Sequence, residues 1–134
     1  MKKFTLAFLA YIVLVLVIAT VWHLGLFKDV YLNARMREAP IFQLGILSIL
    51  IQAAIMAYLY PRFFKQGSPA KEGLKFGLLM GIFMGSYGVL AEAGKFDVGP
   101  VPTFLLYEGI FFIIQFAIVG VAIGLIYGQP PKER

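Results

Sequence analysis

The sequence predicts an all-α membrane protein with four transmembrane helices, and three observations predict it. Hydrophobic residues make up 60% of the 134 residues and charged residues only 14%. A soluble domain carries about 25% charged residues, so this chain has too little polar surface to face water on all sides. The apolar residues gather in four runs, each long enough to cross the ~30 Å hydrocarbon core at about 1.5 Å per residue. Polar segments with helix-stopping residues separate the runs. In lipid every backbone N–H and C=O must be satisfied within the protein, and a helix does this segment by segment.

The first helix is expected from about Phe4 to Phe27. Met1-Lys2-Lys3 is a basic start such as a secretory signal carries, but a signal's apolar region runs only about 7–15 residues. No A-x-A site follows, so the run reads as a retained helix. The next segment holds Lys28, Asp29, Asn33, Arg35, Arg37 and Glu38 and ends at Pro40. A second helix is expected from Ile41 to Tyr60, stopped by Pro61, with the loop PRFFKQGSPAKE running from Pro61 to Glu72. The third helix spans Gly73 to Ala91. A short loop from Gly94 to Pro102, with prolines at 100 and 102, leads into a fourth helix from Thr103 to Tyr127, since proline suits a turn and the first positions of a helix. The tail QPPKER is expected to be extended or disordered. The length fits one membrane domain over residues 1–134, an up-down bundle of four helices.

Charge sets an expected orientation. Lys2, Lys3, Arg62, Lys65, Lys71, Lys75, Lys132 and Arg134 fall on the side of the termini, and Lys28, Arg35, Arg37 and Lys95 on the other. Lysine and arginine favour the cytoplasmic side, so both termini are expected inside. Tyr58, Tyr60 and Tyr127 would then lie at the inner interface, and Trp22 and Tyr107 at the outer one. The net charge of +5 is spread between the apolar runs. Nucleic-acid binding needs a clustered basic face, so the bilayer is the expected partner and nucleic acid is not. Cysteine is absent, which excludes disulfides, thiolate metal sites and thiol catalysis.

The two halves of the chain read as a parallel repeat of helical hairpins. His23-x-Gly25-x-Phe27 closes the first helix and Glu92-x-Gly94-x-Phe96 the third; Pro40-x-Phe42 opens the second helix and Pro102-x-Phe104 the fourth. Gly73, Gly77, Gly81 and Gly85 recur every fourth residue in the third helix, and Gly120, Gly124 and Gly128 in the fourth. Residues four apart share a face, so each row is a shallow groove of the kind that lets helices approach closely in lipid. Such a glycine zipper either holds the bundle together or forms a homo-oligomer seam or lines a pore, and the expected partners are another copy or a larger membrane complex.

Ionisable groups within a spanning segment are costly and mark function by default. Here these are His23, Glu92 and Glu108, all toward the ends opposite the termini. Glu92 continues the glycine face of the third helix, and Glu108 shares a face with Gln115. Gly45, Ser48 and Gln52 make a small polar stripe in the second helix, with Gln43 near its outer end. Folding could gather His23, Glu92, Glu108 and Gln43 into one outward-facing cluster. One imidazole and two carboxylates can bind a proton, a cation or a divalent metal, and the sequence leaves the metal question open. With a single histidine, bis-imidazole haem is excluded, and no cofactor is predicted. Nucleophile elbows, phosphate loops and dinucleotide fingerprints are missing, so nothing points to an enzyme.

Trp22-x-x-Gly25 with Tyr31 beyond it, the glycine-rich stretch from Gly73 to Tyr87, and Glu108 entering the last helix together resemble small four-helix bacterial inner-membrane protein families with no established activity. Those families tend to carry an Asp before the tryptophan, where this chain has Ala19 and Thr20. The resemblance implies the architecture and a bacterial inner-membrane location. Two functions are expected from the residues: a non-catalytic accessory subunit packing through its glycine faces, or a small homo-oligomeric carrier or channel for a proton-linked or cationic solute using the outer carboxylates.

Overall fold

The structure, a computed structural model, describes residues 1–31, 41–64 and 67–128. Asn33, Arg35, Arg37, Glu38, Pro40, Lys65 and the whole QPPKER tail, with Lys132 and Arg134, lie outside these residues. Four helices are long and apolar enough to cross a membrane: α1 Lys2–Leu26, α2 Phe42–Phe63, α3 Pro69–Lys95 and α4 Val101–Tyr127. A single helical turn, Lys28–Tyr31, follows α1. Two of the helices are not uniform. A π-helical turn at Val21–Leu26 closes α1, and another at Ser86–Ala91 interrupts α3. The two turns start 65 residues apart, whereas the sequence repeat pairs His23 with Glu92, 69 residues apart. Local geometry and sequence match therefore differ by one helical turn.

Each helix extends past its expected bounds at one end or both, and for α2, α3 and α4 the local chemistry gives a reason. Ser68, in extended backbone, precedes Pro69, which opens α3 four residues before Gly73; a proline at the first helical position loses no bond, because that N–H has no partner within the helix. Pro102 sits in the first turn of α4 on the same terms. The sequence predicts that α2 stops at Tyr60, yet it runs through Pro61 to Phe63. Pro61 has no N–H to give the carbonyl of Ala57, four residues back. The Tyr127 hydroxyl of α4 donates to that carbonyl instead, at 2.5 Å. Tertiary structure thus supplies the donor that the proline removed, as a helix in lipid requires.

Tyr127→Phe is accordingly expected to cost about 1–3 kcal/mol, the penalty for leaving a buried acceptor unpaired. Adding Pro61→Ala should recover most of the loss, since the backbone N–H returns. Thermal unfolding of the three variants in mild detergent checks this, and equal melting temperatures for parent and Tyr127→Phe would refute it.

The densest packing is between α3 and α4, along their glycines. A Cβ built on Gly120 would lie 2.6 Å from the Gly77 Cα, and one on Gly124 2.9 Å from the Gly73 Cα. Real Cβ atoms do not come that close, so only glycine permits this approach. Gly81 and Gly85 face the Phe112 and Phe116 side chains. Gly128, at φ +65°, ends α4 in the left-handed region that glycine favours, and the Lys3 ammonium donates to the Tyr127 carbonyl beside it.

The core gathers toward the end of the molecule that carries the termini. Ala7, Tyr11 and Val15 of α1 meet Ala53, Met56, Ala57 and Tyr60 of α2 and Phe116, Val119 and Ile123 of α4. Residues 42–48 of α2 are exposed, so this helix joins the others from Ile49 onward. At the opposite end the packing is left to α1, α3 and α4, and the polar site lies there.

Candidate functional site

Glu108 lies seven residues into α4, about 10 Å along the axis at 1.5 Å per residue. Its carboxylate is only 13% exposed, and two side chains from the end of α1 converge on one of its oxygens. The Tyr31 hydroxyl donates to Oε2 at 2.7 Å, and His23 Nε2 stands 3.2 Å from the same atom. Trp22 Nε1–H donates to the Tyr31 oxygen at 3.0 Å, which makes a chain from indole to phenol to carboxylate to imidazole. The π-helical turn of α1 carries both Trp22 and His23. Widened turns of this kind re-aim side chains and occur often at functional sites. The turn Lys28–Tyr31 brings the phenol back over the imidazole, with ring centroids 4.5 Å apart.

Aromatic side chains enclose the pair. Phe111 meets the His23 ring edge-to-face at 4.5 Å and the Trp22 ring at 5.9 Å. Phe27 packs on Trp22 at 4.4 Å and on Tyr107 at 4.9 Å. Trp22 is 8% exposed; its indole is part of the site rather than an anchor turned to headgroups. Tyr60, also expected at an interface, is buried in the core. Burial, reinforced by the adjacent Glu108 carboxylate, pushes the Tyr31 phenol well above its ordinary range, so Tyr31 remains a donor.

The hydrogen bonds constrain where protons sit. His23 Nδ1 faces the Ala19 carbonyl at 3.0 Å, and a carbonyl only accepts, so we assign the hydrogen to Nδ1. In neutral imidazole Nε2 is then an acceptor, and an ionised carboxylate is an acceptor too. Two acceptors do not hold each other at 3.2 Å. A single proton held between Nε2 and Oε2 would satisfy both atoms, as an imidazolium–carboxylate pair or as a neutral imidazole with a carboxylic acid. Either form has no net charge. Removing that proton opposes two lone pairs in a poorly hydrated, aromatic-walled site, with Tyr31 as the remaining donor to Oε2.

The predicted residues divide accordingly. His23 and Glu108 are brought into contact. Glu92 is half-buried and within electrostatic reach of Glu108 and Lys95, without a hydrogen bond to the pair among the described residues. Gln43 is exposed near the start of α2 and stays outside the cluster. No group of three or more His, Asp or Glu side chains placed to hold a metal ion occurs among the described residues. Of the packing glycines, Gly73, Gly77, Gly120 and Gly124 come together, Gly81 and Gly85 face phenylalanines, and Gly128 lies beside Lys3. Trp22 and Tyr31 are the members of the hydrogen-bonded chain that a search for charge in the apolar runs overlooks. A phenol and an indole read as interface or packing groups until their partners are seen.

Two polar features lie deeper. The Tyr11 hydroxyl donates to Gln52 Oε1 at 2.7 Å, and Gln52 Nε2 donates to Ser48 Oγ at 3.0 Å. Gln115 is 5% exposed, and its Oε1 accepts no hydrogen bond. At the terminal end, a cavity of about 200 Å³ is lined by Tyr60, Phe63, Phe64, Phe76 and Leu79. Its two charged residues, Glu72 and Lys75, pair with each other at 2.7 Å, which leaves it with little to recognise a polar ligand. No protein-family model, curated protein or solved structure matches the chain.

Proposed function

We propose that this protein is a small proton-linked membrane carrier that takes up and releases a proton at the His23–Glu108 pair. The observation that carries the proposal is the 3.2 Å contact between Nε2 and Oε2, with Nδ1 already committed to the Ala19 carbonyl. A pair held this way stores one exchangeable proton at no net charge, which suits a site of low dielectric. Partial exposure of the imidazole, 29%, lets that proton reach the aqueous edge. The four helices alternate direction as an up-down bundle, and the two hairpins form a parallel repeat. The π-helical turns near one end of both α1 and α3 support that reading. The lysine and arginine bias supports termini on the cytoplasmic side, with the pair near the outer face, and the resemblance to small bacterial inner-membrane proteins supports that membrane.

An accessory role through glycine faces has less support. Gly73, Gly77, Gly120 and Gly124 meet one another within the chain and are not open to a partner. The zipper in this reading is an internal fastening between α3 and α4.

Nitrogen-15 NMR of His23, the only histidine, tests the pair in lipid nanodiscs. A protonated Nδ1 and an Nε2 resonance typical of a shared proton are expected, with Glu108→Gln moving Nε2 strongly. An imidazole that titrates like free histidine and ignores Glu108→Gln would remove the basis of the proposal.

A further inference from the structure

The Glu108 site lies near one end of the bundle, so a proton carried across the membrane needs a further station at depth. We infer that Gln115 is that station: its Oε1 binds a water or hydronium ion at the middle depth of α4, one member of a file of waters leading from Glu108 toward the level of the Tyr11–Gln52 hydrogen bond. The inference rests on the proton-carrier reading for its function, though the hydration it asserts can be observed independently.

Position is the first support. Gln115 is 14 residues from the start of α4 and 12 from its end, so it sits at the mid-plane of the helix. It lies seven residues beyond Glu108, two turns deeper on the same face, about 10 Å along the axis. Gln52 is likewise central, 10 residues from Phe42 and 11 from Phe63. Tyr11 marks the same depth: its hydroxyl donates to Gln52, and its ring meets the ring of Phe116, the neighbour of Gln115 in α4, at 6.5 Å. Polar groups of α1, α2 and α4 thus converge at one depth.

Chemistry is the second support. Gln115 is 95% removed from solvent, and its Oε1 accepts from no described residue. A buried acceptor at bilayer depth takes its donor from protein or from bound water. An apolar side chain of similar size would pack here without that need. The chain instead places an amide oxygen opposite lipid-embedded helices, where its use is to hold a hydrogen-bond donor. Water and hydronium are donors small enough for a site between packed helices, and water also accepts, so it can pass a proton from the Glu108 carboxyl toward the Tyr11 hydroxyl. From the carboxyl through water to the Tyr11 hydroxyl, only O–H bonds are made and broken. Each proton accepted on one side of an oxygen is matched by one given up on the other.

The test uses the full-length protein in nanodiscs with glutamine side chains labelled with nitrogen-15, the Gln115 amide signal being assigned by its loss in Gln115→Leu. A cross-peak from water to the Gln115 amide, and hydrogen exchange within seconds, are expected. An amide with no water contact and exchange over days would overturn the inference whatever the protein transports. In proteoliposomes under an imposed potential, Gln115→Leu should lower proton flux at least tenfold while leaving the His23 resonances as in the parent. Parent-like flux from a correctly folded Gln115→Leu would also overturn it. A hydrated amide in a parent protein that passes no protons would count against the carrier reading alone and uphold the hydrated station.

Discussion

Proton flux through proteoliposomes is expected to fall at least a hundredfold when Glu108 is replaced by glutamine. The amide has nearly the same shape as the carboxyl but no proton that leaves near neutral pH, so the site is filled and chemically silent. Its hydrogen bonding also changes in a definite way. In the parent, Tyr31 and His23 both address Oε2. An amide oxygen in that place keeps the bond from Tyr31 but meets the Nε2 lone pair, while an amide NH₂ donates to Nε2 and turns its hydrogens toward the Tyr31 hydroxyl. One of the two bonds is lost either way, which costs about 1–2 kcal/mol, too little to unfold a four-helix membrane protein. A pH-sensitive dye trapped in the vesicles reports the flux, and thermal unfolding in detergent reports the fold. Flux at the parental rate from folded Glu108→Gln would end the proposal that this carboxyl moves the proton.

Gly77→Ala is expected to produce the largest loss of stability from a single added methyl group, about 2–3 kcal/mol by the usual cost of overpacking. The Cβ would run into the backbone carbonyl of Phe116 and lie 3.0 Å from the Gly120 Cα. Both obstacles are backbone, so no rotamer change relieves the clash, and α3 and α4 must separate. Separation then forfeits the close contacts on which helix association in lipid depends. Gly45→Ala and Gly109→Ala are the controls, because a Cβ at either position meets nothing within 4 Å. Unfolding temperatures of the three variants in one detergent decide the matter. A Gly77→Ala protein as stable as Gly45→Ala would show that the α3–α4 contact is looser than the structure has it.

Much of the site is written in the sequence as residue type and much less as partnership. His23 and Glu108 stand out because charge is rare inside apolar runs. Their contact joins residues 85 apart in the chain, and helical periodicity carries no information across that distance. Tyr31 is harder to foresee. It belongs to a helical turn outside the first apolar run, and only the packing of α4 against α1 brings it to Glu108. Gln43 illustrates the reverse. Its depth along α2 suits a cluster at the end opposite the termini, but residues 42–48 of α2 do not close against the other helices. A stretch can be apolar enough for lipid without having neighbours.

The sequence by itself determined the four helices long and apolar enough to span a membrane, their approximate limits and the glycine faces, because these follow from local quantities: hydropathy over about 20 residues, and side-chain size at every fourth position. Tertiary structure alone decided how those local features are used. It led α2 past Pro61, because a phenol from α4 replaced the missing N–H. It turned the glycines of α3 and α4 toward each other. It also set an imidazole and a tyrosine against one oxygen of a buried carboxyl. Hydrogen bonds and close contacts depend on positions within a few tenths of an ångström, and that precision comes only when separate helices pack in register.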